Sequence, residues 1–222
     1  ALTAGSLTAA ASGASFDYNT ESDLLLSPIT NWSFARGPPL TLPGNYFHLA
    51  ATNGLSLTLS GFASVTLSSL DLTRASAQAT TEQGGAPLSG TLFTLDLGGI
   101  GFSVASGAIS LSGGHLGLAL FSSGSDTWVA AAGDSFALTL NAGLLSAGGT
   151  VGFAYNTGPA DNEINDWTFA NVAGLGSTVA DDLVEVSGDN VTVTLGTLFS
   201  TSVATFDLVS KSVTGVVTEA GS

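Results

Sequence analysis

The sequence predicts an all-β chain, an antiparallel meander of short strands forming a sandwich or a flattened solenoid-like stack, with an internal repeat of 136 residues. Three observations carry this. Residues 183–195 alternate strictly: Val184 and Val186 with Glu185 and Ser187, then Gly188-Asp189-Asn190, then Val191, Val193 and Leu195 with Thr192 and Thr194. Period-two alternation on both sides of a Gly/Asp/Asn cluster has the form of a β-hairpin. The same frame recurs at residues 47–59 and 128–140, so one plan is used more than once. Finally, no stretch keeps a helical period, and the 29 glycines would each cost a helix interior about 1 kcal/mol relative to alanine.

Taken in order, the chain opens with small β-compatible residues that lead to Phe16-Asp17-Tyr18-Asn19-Thr20. A polar loop, Asn31-Trp32-Ser33-Phe34-Ala35 and a proline-rich break follow, and then comes the first frame. Residues 90–97, 102–111 and 115–121 read as successive strands set apart by Gly98-Gly99, Gly107 and Gly113-Gly114. Phe153-Ala154-Tyr155-Asn156-Thr157 echoes the motif at Phe16, Asp166-Trp167-Thr168-Phe169-Ala170 echoes that at Asn31, and Asp207-Leu208 echoes Asp71-Leu72. These matches fall within one residue of a common 136-residue offset and define a long period. The expected division is a partial first repeat over 1–85 and a second repeat with two hairpin units over 86–222, or one continuous β domain. A partial period is expected of a window on a longer array whose neighbouring repeats cover its open edges.

Composition bounds the partners. Three basic residues against 17 acidic ones give a net charge of −14, which repels nucleic acid and anionic lipid and favours cations. With no cysteine there is neither disulfide nor thiol chemistry. No run of ~18 apolar residues marks a transmembrane segment.

Two loops carry most of the candidate chemistry. Asp17, Asn19, Glu21 and Asp23 are spaced by two, and Asp161, Glu163 and Asp166 occupy the corresponding loop of the second copy. Calcium takes six to eight oxygens from such carboxylates and amides, so both loops are candidate calcium sites. The competing reading is of solvated loop acids, since neither loop matches an EF-hand. Asp134, Asp181, Asp182 and Asp189 read as turn formers. His48 and His115 are the chain's two histidines and stand beside no nucleophile elbow, so no enzyme is expected. Trp32 and Trp167 occupy equivalent repeat positions, which suits a core or repeat interface better than sugar stacking.

The run Leu-Pro-Gly-Asn-Tyr-Phe-His-Leu-Ala-Ala-Thr-Asn-Gly-Leu-Ser-Leu-Thr-Leu at residues 42–59, with the upstream Tyr-Asn-Thr, resembles β-strand repeats of giant bacterial surface proteins of the LEPR-XLL type. The likeness covers residues 16–72 and 116–208; Asn45 stands where the family pattern has proline, and the Leu-Pro-Gly lead-in is missing before the later frames. The resemblance implies a secreted or cell-surface structural role with no active site to carry over.

The functional expectation is therefore an extracellular structural module that associates with copies of itself or with neighbouring repeats into a surface layer, fibre or adhesin stalk. Cell-surface polysaccharide is the other partner weighed. The alternatives are a carbohydrate- or ice-binding β-sandwich and an outer-membrane β-barrel. Against the barrel, the expected strands of about 5 to 7 residues fall short of the ~9–11 that cross a bilayer. For ice binding, Thr192-Val193-Thr194 is the one clear Thr-x-Thr ladder.

Overall fold

Among the described residues thirteen strands, each antiparallel to its neighbours, lie side by side in one open sheet. The computed structural model describes residues 2–4, 7–19, 46–52, 54–59, 63–82, 84, 86–104, 107–159, 162–176 and 182–210. In chain order the strands are β1 (Leu2–Ala4), β2 (Leu7–Ala11), β3 (Ala14–Asn19), β4 (Tyr46–Ala51), β5 (Leu55–Leu59), β6 (Ala63–Leu67), β7 (Ser69–Ala79), β8 (Leu88–Val104), β9 (Ile109–Ser123), β10 (Asp126–Ala142), β11 (Leu145–Thr157), β12 (Val184–Leu195) and β13 (Phe199–Ser210). From β8 to β13 each strand pairs with the next, which is the all-β meander expected. The sheet continues through the 85/86 boundary, because β7 pairs with β8 along its whole length.

The frames at 47–59, 128–140 and 183–195 are not hairpins. Frame 47–59 spans β4 and β5, which pair with β3 and β7 and with β2 and β6, never with each other. The other two frames lie within the single strands β10 and β12. In all three the eighth residue takes a left-handed backbone: Gly54 (φ 94°), Ser135 (φ 57°) and Asn190 (φ 52°). The same device interrupts Gly13 between β2 and β3, Gly99 in β8, and Gly113 and Gly114 in β9. These positions align in the register, so a transverse crease crosses the sheet and shifts the side-chain alternation by one residue in most ribbons. On β8, Phe93, Leu95 and Leu97 alternate before the crease, and Ile100, Phe102 and Val104 after it. Because a bulge and a phase shift offset each other, the apolar residues stay on one face. Phe136, beyond the crease, stacks on Phe153, before it, at 6.4 Å between ring centres. Strands also run longer than expected, to 17 residues in β8 and β10, because the Gly/Asp/Asn clusters bend them instead of ending them. Strand length is thus no obstacle to crossing a bilayer, although the sheet's outer strands, β1 and β13, do not pair with each other.

The two faces differ. On one side of the half-sheet before the crease, the register brings Leu49, Leu72, Leu95 and Leu118 into one row and Phe47, Arg74, Phe93 and Leu120 into the next. Phe16 and Tyr18 extend this face at β3, and Val186 and Leu208 at the far end. Period-two alternation puts Asp17, Asp71, Asp96, Asp134, Glu185 and Asp207 on the opposite side.

That opposite side is covered by the segment between β11 and β12. This strap buries Ile164, Trp167, Ala170, Val172 and Leu175 against Leu92, Ala119, Phe121, Trp128 and Ala130 of the sheet. Alanines at 119 and 130 make room for the indole rings, and Gly117 lets the strap approach. A Cβ at Gly117 would lie 2.5 Å from the carbonyl oxygen of Ala173. Asn156, fully buried at the end of β11, is the anchor. Its Oδ1 accepts from Trp167 Nε1 (3.0 Å), its Nδ2 donates to the Ile164 carbonyl (3.1 Å), and its backbone N–H donates to Leu183 (3.0 Å). Trp128 Nε1 donates to the Asn162 carbonyl at 2.7 Å, so both buried indoles are satisfied. Asn19 at the end of β3 is likewise buried. Trp32 lies outside the described residues.

Candidate functional site

The acidic residues singled out in the sequence go to different tasks. Asp166 stands two residues before Thr168, the first residue of a 3-10 turn at Thr168–Ala170, and its Oδ1 accepts from Thr168 N–H (3.0 Å) and Thr168 Oγ1 (2.6 Å). These two hydrogen bonds to Thr168 hold its carboxyl below the usual aspartate range. Glu163 is buried in the strap, and its carbonyl accepts from the backbone of Glu82 at 2.9 Å. Asn19 is buried at the strand end. Glu21, Asp23 and Asp161 lie outside the described residues. Among the described residues no three acidic or histidine side chains converge as a metal-holding group.

Asp17 meets a different partner. On the strap side, β3, β4, β7, β8 and β9 contribute Asp17, His48, Asp71, Asp96 and His115 in a continuous row, which includes both histidines of the chain. His48 Nδ1 lies 3.4 Å from Asp17 Oδ2, and His48 Nε2 lies 3.0 Å from Asp71 Oδ2. Thr73 Oγ1 donates to the other oxygen of Asp71 at 3.0 Å. Asp71 and Asp96 are direct cross-strand partners, and His115 Nε2 pairs with Asp96 Oδ1. Two carboxylates placed opposite each other repel, so each is held by an imidazole on its outer side. Partial burial works to lower the pKa of His48, but the bonds to Asp71 and Asp17, with their negative charge, outweigh it and raise the value above 6.5. Burial, followed by the charges of Asp17 and Asp71, raises that of Tyr46.

The middle of the row, His48, Asp71 and Asp96, lines a groove of about 640 Å³ between the sheet and the strap, with Tyr46, Thr94, Phe169 and Asn171 among its other lining residues. In the sequence His48 and His115 are notable only as standing beside no nucleophile elbow. Sequence reasoning could not assemble the row, because the five residues span positions 17 to 115 and meet only through strand register.

Two further surfaces are distinctive. The Leu/Phe side is half-exposed or exposed, with Phe16 at 60 % and Leu208 at 66 %. Its one basic residue among the described strands, Arg74, sits over the Phe93 ring at 5.7 Å. Beyond the crease, the other side aligns Thr58, Ser64, Ser103, Ser110 and Thr139 on consecutive strands. At the far end Thr194 and Ser200 hydroxyls lie 3.2 Å apart.

Fold and surfaces together define an open, creased β-meander with one strapped acidic side and one bare apolar side. Comparison with known proteins finds no matching family, no curated relative and no solved structure.

Proposed function

We propose that the chain is a structural module that assembles face to face with copies of itself, or with neighbouring repeats, in an extracellular or cell-surface layer, fibre or adhesin stalk. The observation that carries this is the continuous Leu/Phe face, whose described strand residues before the crease include no carboxylate although the chain has a charge of −14. Acids kept to the strapped side allow two such molecules to meet back to back with little repulsion. Covering each Leu or Phe contributes about 1.5–3 kcal/mol, so a handful offsets the roughly 4–15 kcal/mol that association costs in lost freedom. A second sheet suits this face better than a bilayer does, since an open sheet would leave rim N–H and C=O groups unpaired in lipid.

Sedimentation tests the proposal. The wild type should sediment as a dimer or larger species at micromolar concentration. Leu95→Lys with Leu118→Lys, neighbours in the middle of the face, should sediment as a monomer with an unchanged far-UV spectrum. A wild type that stays monomeric across the concentration range would refute it.

The hydroxyl row from Thr58 to Thr139 favours a second reading, adsorption to a regular lattice such as ice or crystalline polysaccharide, because adjacent strands repeat every ~4.8 Å. Inhibition of ice recrystallisation, or co-sedimentation with cellulose or chitin, that is lost in Ser103→Leu with Ser110→Leu would favour it.

A further inference from the structure

We propose that the row Asp17–His48–Asp71–Asp96–His115 is a proton-dependent clasp that fastens the outer strand β3 to β4 and β7, closing when His48 is protonated and slackening when it is neutral. The geometry carries this. Among the described residues β3 has one strand partner before the crease, β4, so there it is a rim strand held by its ladder and by side chains that bridge outward from it. His48 is the bridge: one ring nitrogen faces Asp17 on β3, the other Asp71 on β7. A neutral imidazole has one N–H and can donate to only one of these carboxylates; the imidazolium donates to both. Protonation therefore adds a hydrogen bond and changes the sign of the site at once.

The surroundings leave the proton little competition. Asp71 is in turn opposed by Asp96 on β8, and His115, which holds Asp96, faces Asp134 across β10. Tyr46 lies beside His48 on β4, with ring centres 6.1 Å apart. The strap residues lining the groove, Phe169 to Val172, bring no charge, and Arg74 is on the opposite side over Phe93. With His48 neutral, Asp17 and Asp71 share a single N–H donor; the proton that His48 takes up supplies the second and offsets their charge. Because the folded-state value for His48 is raised, the clasp's contribution is complete below the ordinary histidine range and is lost as pH rises through the folded value.

Amide hydrogen exchange between β3 and β4, corrected for intrinsic rates, reads the clasp directly. Protection in the wild type should fall severalfold from pH 6 to pH 8, as the ring that bridges Asp17 and Asp71 loses its second N–H. His48→Gln should show low protection at both pH values, and His48→Arg, which carries a permanent charge and can reach both carboxylates, high protection at both. His115→Gln should keep the slope at β3, and Asp71→Asn should flatten it, which supplies a second variant should His48→Gln fold poorly. A slope that survives His48→Gln, or no slope in the wild type, overturns the clasp. So does calcium chloride at pH 8 restoring protection in the wild type but not in Asp71→Asn, for the row would then hold a metal ion.

Discussion

Asn156→Leu is expected to destabilise the protein by about 4 kcal/mol and to release the strap from the sheet. The substitution keeps the branched heavy-atom skeleton but strands two buried polar groups, the Trp167 indole N–H and the Ile164 carbonyl, each costing about 1–3 kcal/mol once desolvated without a partner. With the anchor gone, the apolar residues from Ile164 to Leu175 lose their fixed seat on Phe121 and Trp128, where burial is nearly complete. Urea unfolding followed by tryptophan fluorescence would show a lower midpoint. Trp167→Ala should cost a similar ~3–5 kcal/mol by leaving a cavity. A loss below 1 kcal/mol for Asn156→Leu would mean that the strap is held by packing alone.

At the crease, two substitutions should differ sharply in their cost. Gly114 has φ 70°, and a Cβ there would lie 2.3 Å from the Phe136 ring and 2.8 Å from the Asp134 carbonyl. Gly114→Val therefore combines about 1–2 kcal/mol of left-handed strain with about 1–3 kcal/mol of overpacking, roughly 3 kcal/mol in total. Ser135→Gly relieves the same kind of strain at φ 57° and gives back a similar amount in chain entropy, so its effect should stay within about 0.5 kcal/mol of zero. Thermal unfolding of both variants checks the pair. Equal losses would show that the left-handed residues do not set the crease.

The sequence made strand content and alternation plain, because Val/Leu against Ser/Thr spacing has one physical meaning in a chain without helical period. It did not distinguish a turn from a crease. A one-residue phase change at Gly188-Asp189-Asn190 suits a two-residue hairpin loop as well as a bulge, and only the partner strands separate them: β12 lies between β11 and β13 over its full length. Asp17 was nominated for its carboxylate, but its partner His48 stands 31 residues away and is brought to it by strand register. The strap carries no period at all. Its signals were Asn156 and Trp167, whose recurrence near Asn19 and Trp32 was visible, while the hydrogen bond between them was not.

The strict chain-order pairing from β8 to β13 gives this molecule a direction of growth. Each ribbon needs only its predecessor as a template, so the sheet can extend as the polypeptide emerges, without waiting for distant segments to find one another. Deleting β13 would merely promote β12 to the margin. The return of the strap from β11 across β8, β9 and β10 is the exception, a late fastening that can form only after those three ribbons are already laid down.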